Sequence, residues 1–210
     1  DVVLPVTRVL GDIVASYGVA PERIVVIPNG INLERFPGAV DSAEAKRALG
    51  LDGSLVLGFT GFVRDWHGLD KVVDMIAGDP PESRRCLLVV GDGPARAGLE
   101  QQARRLGIEN RVRFTGVIGR DDVAAYVAAF DIALQPAVVA YASPLKLFEY
   151  LALGKAIIGP AQPNIEEILA QDQNAVLFDP NSTASMAAAV DRLCTDRALR
   201  ERVAANARAT

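Results

Sequence analysis

The chain has 210 residues, half of them hydrophobic and 23% charged, with a formal net charge of −4. That length can bury a sizeable core in one large domain, and the acidic balance gives no electrostatic footprint for nucleic acid. The longest apolar stretch, Val123 to Ala142, is interrupted by Asp131, Gln135 and Pro136, so it is not a membrane span.

In chain order, a helix over about residues 7–17 leads to a β-branched run, Ile24–Ile27. Pro28-Asn29-Gly30 is a turn signal, and the stretch to Pro37-Gly38 has little periodicity, which predicts a linker over 28–41. Strands then alternate with helices. A helix near 42–49 precedes the strand Leu55–Thr60, and one near 68–77 precedes Cys86–Val90. Helices near 94–106 and 121–129 flank Val112–Phe114, and Ile132–Gln135 follows. A helix near 144–153 runs into the strand Ala156–Ile158, then a helix near 164–170 into Ala175–Phe178. Two helices, near 183–193 and 196–208, close the chain. This alternation predicts an α/β domain with a doubly wound parallel sheet. Ligands in such sheets sit beyond the carboxyl ends of the strands, which directs attention to the loops there.

Ser143-Pro144-Leu145-Lys146-Leu147-Phe148-Glu149-Tyr150 opens one of these helices, with Ser143 suited to the N-cap and Pro144 to the first helical position. Leu145, Phe148 and Ala152 share a face, flanked by Leu147 and Leu151, and Lys146 and Glu149 sit together on the opposite border. A helix N-terminus with a lysine attracts phosphate, and a glutamate one turn deeper can accept bonds from sugar hydroxyls. The same residues also fit an ordinary capped helix with a surface ion pair.

Gly61-Phe62-Val63-Arg64-Asp65-Trp66-His67-Gly68 follows the first main strand, and Arg64 and the single histidine, His67, could meet phosphate oxygens there. A plain strand-to-helix turn is the alternative. Gly91-Asp92-Gly93-Pro94 lacks the third glycine of a dinucleotide fingerprint, because position 96 is arginine. Thr115-Gly116-Val117-Ile118 either presents backbone to a nucleobase edge or is a simple turn. Glu166 and Glu167 lie near a helix start and read as capping, solvated carboxylates. No Ser–His–Asp pattern, metal-ligand cluster or Walker loop is present, so neither a catalytic residue nor a metal site is assigned.

In order and spacing, Val25-Ile27-Pro28-Asn29-Gly30-Ile31, Phe59-Thr60-Gly61, Val90-Gly91-Asp92-Gly93-Pro94, Val112-x-Phe114-Thr115-Gly116 and the Ser143–Ile158 block resemble the donor-binding half of retaining GT-B glycosyltransferases of group 1. The resemblance covers nearly the whole chain and implies a Rossmann-like domain, the C-terminal half of a GT-B fold, that binds a nucleotide-sugar donor. Carried over by position, the ribose-binding glutamate falls on Glu149 and the diphosphate-binding helix start on Pro144, Leu145 and Lys146. The base-contacting backbone falls near Val117 and the glycine under the phosphates on Gly61.

The chain also departs from the family pattern. Phe62 and His67 stand where the family carries a phosphate-binding Arg and Lys, and Tyr141 stands where the first of two glutamates approaches the donor sugar. Arg64 and Lys146 are the candidates to supply the missing charge. The resemblance further implies that residues 1–27 are a remnant of the acceptor domain and that 42–210 form the donor domain, truncated at its C-terminus. The chain starts at Asp1 and reads as a fragment, inactive alone, of a hexosyltransferase. Its donor is a substrate and no cofactor is expected; the acceptor is not readable, and peripheral membrane contact of the full-length protein stays open.

Asp1, Arg8 and Asp12 break the apolar run of a signal peptide, and Cys86 and Cys194 read as buried thiols of a reducing, cytoplasmic compartment. Two other functions remain in play: a GT-B-fold nucleotide-sugar epimerase, with His67, Glu149, Asp65 and Tyr141 as its acid–base candidates, and a non-catalytic α/β binding module.

Overall fold

A computed structural model describes residues 1–36 and 41–210; Pro37 and Gly38 of the predicted linker lie outside the described residues. Six strands form one sheet: β1 (Leu55–Thr60), β2 (Arg85–Val90), β3 (Val112–Phe114), β4 (Ile132–Leu134), β5 (Ala156–Pro160) and β6 (Val176–Phe178). All neighbouring pairs are parallel, in the spatial order β3-β2-β1-β4-β5-β6. This is the Rossmann-like doubly wound sheet expected from the alternation. The chain winds outward from β1 to β3 and then returns to place β4 on the other side of β1. The connections therefore diverge between β1 and β4, and a crevice opens at their carboxyl ends.

The helices are α1 (Arg8–Ser16), α2 (Ser42–Ala48), α3 (Leu69–Ala77), α4 (Arg96–Arg105), α5 (Val123–Ala128), α6 (Leu145–Ala152), α7 (Pro163–Glu166), α8 (Thr183–Thr195) and α9 (Arg197–Ala209). Strand side chains alternate between faces, so each strand feeds two cores. Leu57, Phe59, Leu87 and Val89 pack under Val72 and Ile76 of α3, Leu99 of α4, and Val190 and Val203 of α8 and α9. Val56, Leu88, Ala133 and Ile157 pack under Ala45 of α2, Val127 of α5, Leu147 and Tyr150 of α6, and Ile165 of α7. Burial on both faces explains why these strands read as continuous apolar runs.

Several local expectations are corrected. Ile24–Ile27 is not a strand of the sheet: Val3 and Ile24 make one isolated parallel bridge, and Val25 and Ile27 remain about half exposed. The β-branched run had the right composition, but no second layer covers it. The helix expected over 164–170 stops at Glu166, and the chain then turns, with Asn174 Oδ1 accepting from the Ala170 N–H at 2.7 Å. Cys194 is half-buried, while Cys86 is buried as expected.

Residues 1–36 are tied to the loops and helices around the sheet by side-chain bonds. Glu167 does not cap its own helix; its carboxylate accepts the Arg8 and Val9 N–H groups, at 3.0 and 3.3 Å, at the start of α1. Thr7 Oγ1 donates to the Tyr141 carbonyl at 3.1 Å, and Asn29 Nδ2 donates to the Ser143 carbonyl at 2.9 Å. The last two bonds hold the loop that joins β4 to α6. Asn164 holds the same loop from beneath, donating to the Val139 and Ala142 carbonyls.

Candidate functional site

The crevice is built around the end of β1. Strand β4 is shorter, so the Thr60 N–H projects beyond the β1–β4 ladder. The buried Tyr150 hydroxyl of α6 takes that place, accepting from Thr60 N–H at 2.9 Å and from Thr60 Oγ1 at 3.2 Å. This contact fixes which side of α6 faces the core. Leu147, Tyr150 and Leu151 are buried, whereas Leu145 is half exposed and Phe148 and Ala152 line a cavity on the opposite side. The face expected from Leu145, Phe148 and Ala152 is thus not the core face. Apolar residues spread over more than one face of the helix, so spacing alone did not single out the stripe that includes Tyr150.

The start of α6 differs in detail. Pro144 is the N-cap residue, with no side-chain capping bond, and the helix begins at Leu145; Ser143 is buried behind it, against the cavity lined by Phe148. Gly154 does close the helix, with φ +58 in the left-handed region.

Beyond Thr60 the chain passes through Gly61, whose φ of +123 favours glycine, and beside it Gly91 follows β2 with φ +140. A Cβ on Gly91 would stand 2.2 Å from the Gly61 carbonyl oxygen, so the two loops form a floor that only bare backbone permits. Lys146 lies over this floor. Its Nζ is 3.6 Å from the Phe59 ring centroid and would be 3.5 Å from a Cβ on Gly61. Burial pulls the ammonium down to about 7, a shift that Glu149 opposes; burial likewise holds the Glu149 carboxyl above its ordinary value, against the pull of Lys146. Lys146 and Glu149 do not form a direct ion pair among the described residues, and both line the crevice.

Two cavities meet here, sharing Gly61, Phe62 and Lys146. The first, about 460 Å³, brings together Gly61, Asp92, Val117, Leu145, Lys146 and Glu149. Val117 is 85% exposed at its outer rim. The second, about 290 Å³, brings Arg64, His67 and Pro144 against the other side of Lys146. Of the site candidates read from sequence, Tyr141, Ser143 and the acid–base candidate Asp65 line neither; the Tyr141 side chain is half exposed.

The segment after Gly61 folds as a single tight turn. His67 Nδ1 accepts the Arg64 N–H at 3.1 Å, and its ring lies 5.0 Å from Phe59 and 4.0 Å from Trp66, centroid to centroid. Burial, with the charges of Lys146 and Arg64 nearby, pulls the imidazole down to about 4. His67 is therefore a neutral, packed ring. Arg64 extends outward with its guanidinium 4.9 Å from the Phe62 ring.

Sequence reasoning missed two participants. Tyr150 sits inside the quoted motif, but nothing local shows that its hydroxyl completes β1. Gln135 lies at the end of β4, 1% exposed, and lines the second cavity; a glutamine inside an apolar strand was the available signal. Among the described residues no cluster of acidic, histidine or cysteine side chains could hold a metal ion, and no helix is long and apolar enough to cross a membrane.

Comparison with known proteins bears on the fold and the family. The chain is 30% identical, over 94% of its length, to a D-inositol 3-phosphate glycosyltransferase of Salinispora arenicola. It is 28% identical, over 88% of its length, to a 2-deoxystreptamine glucosyltransferase of Streptomyces kanamyceticus. In both cases it spans 48% of the relative, so the chain is about half the length of these proteins. Among solved structures, Anabaena HepE in complex with UDP superposes over 99% of this chain and 58% of its own, with a TM-score of 0.88 at 23% identity. The C-terminal domain of a group 1 glycosyl transferase from Francisella tularensis, LpcC, covers 86% of this chain and 95% of its own, with a TM-score of 0.75 at 22% identity. These likenesses establish a shared fold. The profile of one family, described as glycosyl transferases group 1, matches residues 41–210, and the chain belongs to that family.

Proposed function

We propose that this chain is the donor-binding half of a retaining glycosyltransferase, holding a nucleoside-diphosphate sugar for transfer to an acceptor bound elsewhere. The observation that carries this reading is the convergence of Gly61, Lys146, Glu149 and Val117 on one cavity at the carboxyl ends of β1 and β2. In this reading the diphosphate lies across the bare Gly61 backbone, beneath Lys146 and at the start of α6. Glu149 accepts the ribose hydroxyls and the Val117 backbone meets the base. Arg64 and Lys146 supply the cationic charge that Phe62 and His67 do not, and the donor is the substrate, with no cofactor. Binding energy and electrostatic stabilisation of the leaving diphosphate are what such a half contributes to transfer.

The remaining assignments follow the same reading. Residues 1–27 belong to an acceptor domain, 28–41 link it to the donor domain, and the reaction requires both, so the 210-residue chain binds donor without transferring sugar. A cytoplasmic location fits the unpaired cysteines.

The test is a thermal-shift and calorimetric panel with UDP, GDP, ADP and TDP. One diphosphate should raise the melting temperature by about 5–10 °C at a hundredfold excess over Kd. Glu149→Gln should weaken it roughly 10- to 100-fold, the range for a hydrogen bond to a charged group. Absence of binding by all four, or equal binding by the variant, overturns the reading.

A further inference from the structure

Two residues that line the second cavity, Gln135 and His67, carry a side-chain acceptor and a side-chain donor without partners among the described residues. Gln135 is 1% exposed, and its amide nitrogen is committed to the Ala137 carbonyl at 2.6 Å. That bond orients the side chain, and Gln135 Oε1 is left buried with no hydrogen-bond partner among the described residues. A buried acceptor without a partner carries its full desolvation penalty. Gln162 Oε1 and Asn164 Oδ1 are also without partners, but neither residue borders this cavity.

His67 faces the same space from the loop after β1. Because its Nδ1 accepts the Arg64 N–H, the proton of the neutral ring resides on Nε2, which has no acceptor among the described residues. Gln135, with its unpartnered oxygen, and His67, with an N–H that no described residue accepts, therefore line one cavity of about 290 Å³ beside the proposed diphosphate floor. A hydroxyl group satisfies both at once, since it donates one hydrogen bond while accepting another. Trp66, half exposed at the rim, adds an apolar ring face suited to the C–H side of a pyranose.

We propose that Gln135 and His67 read a hydroxyl of the transferred sugar and so determine donor-sugar specificity. This rests on the donor-site reading above and adds to it the residues that distinguish one sugar from another. A site built to hydrogen-bond a hydroxyl discriminates strongly against ligands that lack it, because its own polar groups are then left unpaired. Tyr141, which the family resemblance places near the sugar, lines neither cavity, whereas Gln135 lines the second.

The test is calorimetric titration of the 210-residue chain with UDP and GDP, and with UDP-glucose, UDP-galactose, UDP-N-acetylglucosamine and GDP-mannose. The quantity read is the affinity ratio between each nucleotide sugar and its parent diphosphate. Gln135→Leu should lower that ratio roughly 5- to 150-fold for at least one sugar. His67→Asn keeps an acceptor for the Arg64 N–H while removing the remote donor, and should lower the ratio for the same sugar. His67→Gln restores a remote N–H and should recover part of the loss. The two variants lie on different elements, so a folding defect in one leaves the other informative.

An unchanged ratio in both variants overturns the proposal, as does a parallel loss of diphosphate and nucleotide-sugar affinity. Binding of a diphosphate but of none of the sugars overturns it too, and leaves the donor reading standing. Absence of any diphosphate binding removes the donor reading and this inference together.

Discussion

Removing the Tyr150 hydroxyl, by Tyr150→Phe, isolates the bond that joins α6 to the end of β1. The aromatic ring is fully buried and packs edge-on against Phe130, with centroids 6.1 Å apart, and phenylalanine preserves that contact. What is lost is the acceptor of the Thr60 N–H at 2.9 Å, at a position where the shorter β4 offers no replacement. Thr60 is itself buried, so water does not reach the orphaned N–H without local opening. An unsatisfied buried donor costs about 1–3 kcal/mol, and the vacated hydroxyl volume adds little. For a domain of this size, about 2 kcal/mol lowers Tm by roughly 4–8 °C. Equilibrium urea unfolding should show a reduced midpoint with an unchanged m-value, since the exposed surface on unfolding is the same. Thr60→Val added to Tyr150→Phe should cost less than its effect alone, because both substitutions act on one cluster. A loss below about 0.5 kcal/mol for Tyr150→Phe would refute the claim that this hydroxyl completes the strand.

Two further perturbations address the crevice. The Lys146 ammonium is held near 7, so in the empty protein the unfolded chain binds more protons from about pH 7 up to the ordinary lysine range, and stability should rise with pH across that window. Bound diphosphate favours the charged form, so binding takes up a proton and affinity should fall between about pH 7 and about pH 9. Titrations in buffers of different ionisation enthalpy measure that uptake; Lys146→Met should abolish the slope, and a pH-independent affinity in the unaltered protein would contradict the assignment. Gly91→Ala sets a Cβ 2.2 Å from the Gly61 oxygen at a φ of +140, and should destabilise by about 3 kcal/mol or more while impairing nucleotide binding. Wild-type stability in urea would show that the two loops can separate without consequence.

The amino-acid sequence by itself determined the elements whose signals are local. Continuous apolar runs such as Leu87-Leu88-Val89-Val90 specify strands buried on both faces, and their alternation with helical periodicity specifies the doubly wound sheet. That Gly61, Lys146 and Glu149 border one crevice was legible because Gly61 follows a strand and the other two stand in the first two turns of a helix. Tertiary structure alone decided what depends on distant partners. The core face of α6 is chosen by Tyr150 meeting Thr60, 90 residues away, and Glu167 caps a helix 159 residues earlier in the chain. Gln135 becomes a candidate recognition residue only because its amide is spent on Ala137 while β1 and its loop bring His67 to the same cavity. Periodicity reports which side of an element is apolar; which hydrogen-bond partners remain unclaimed is settled only when the elements have packed.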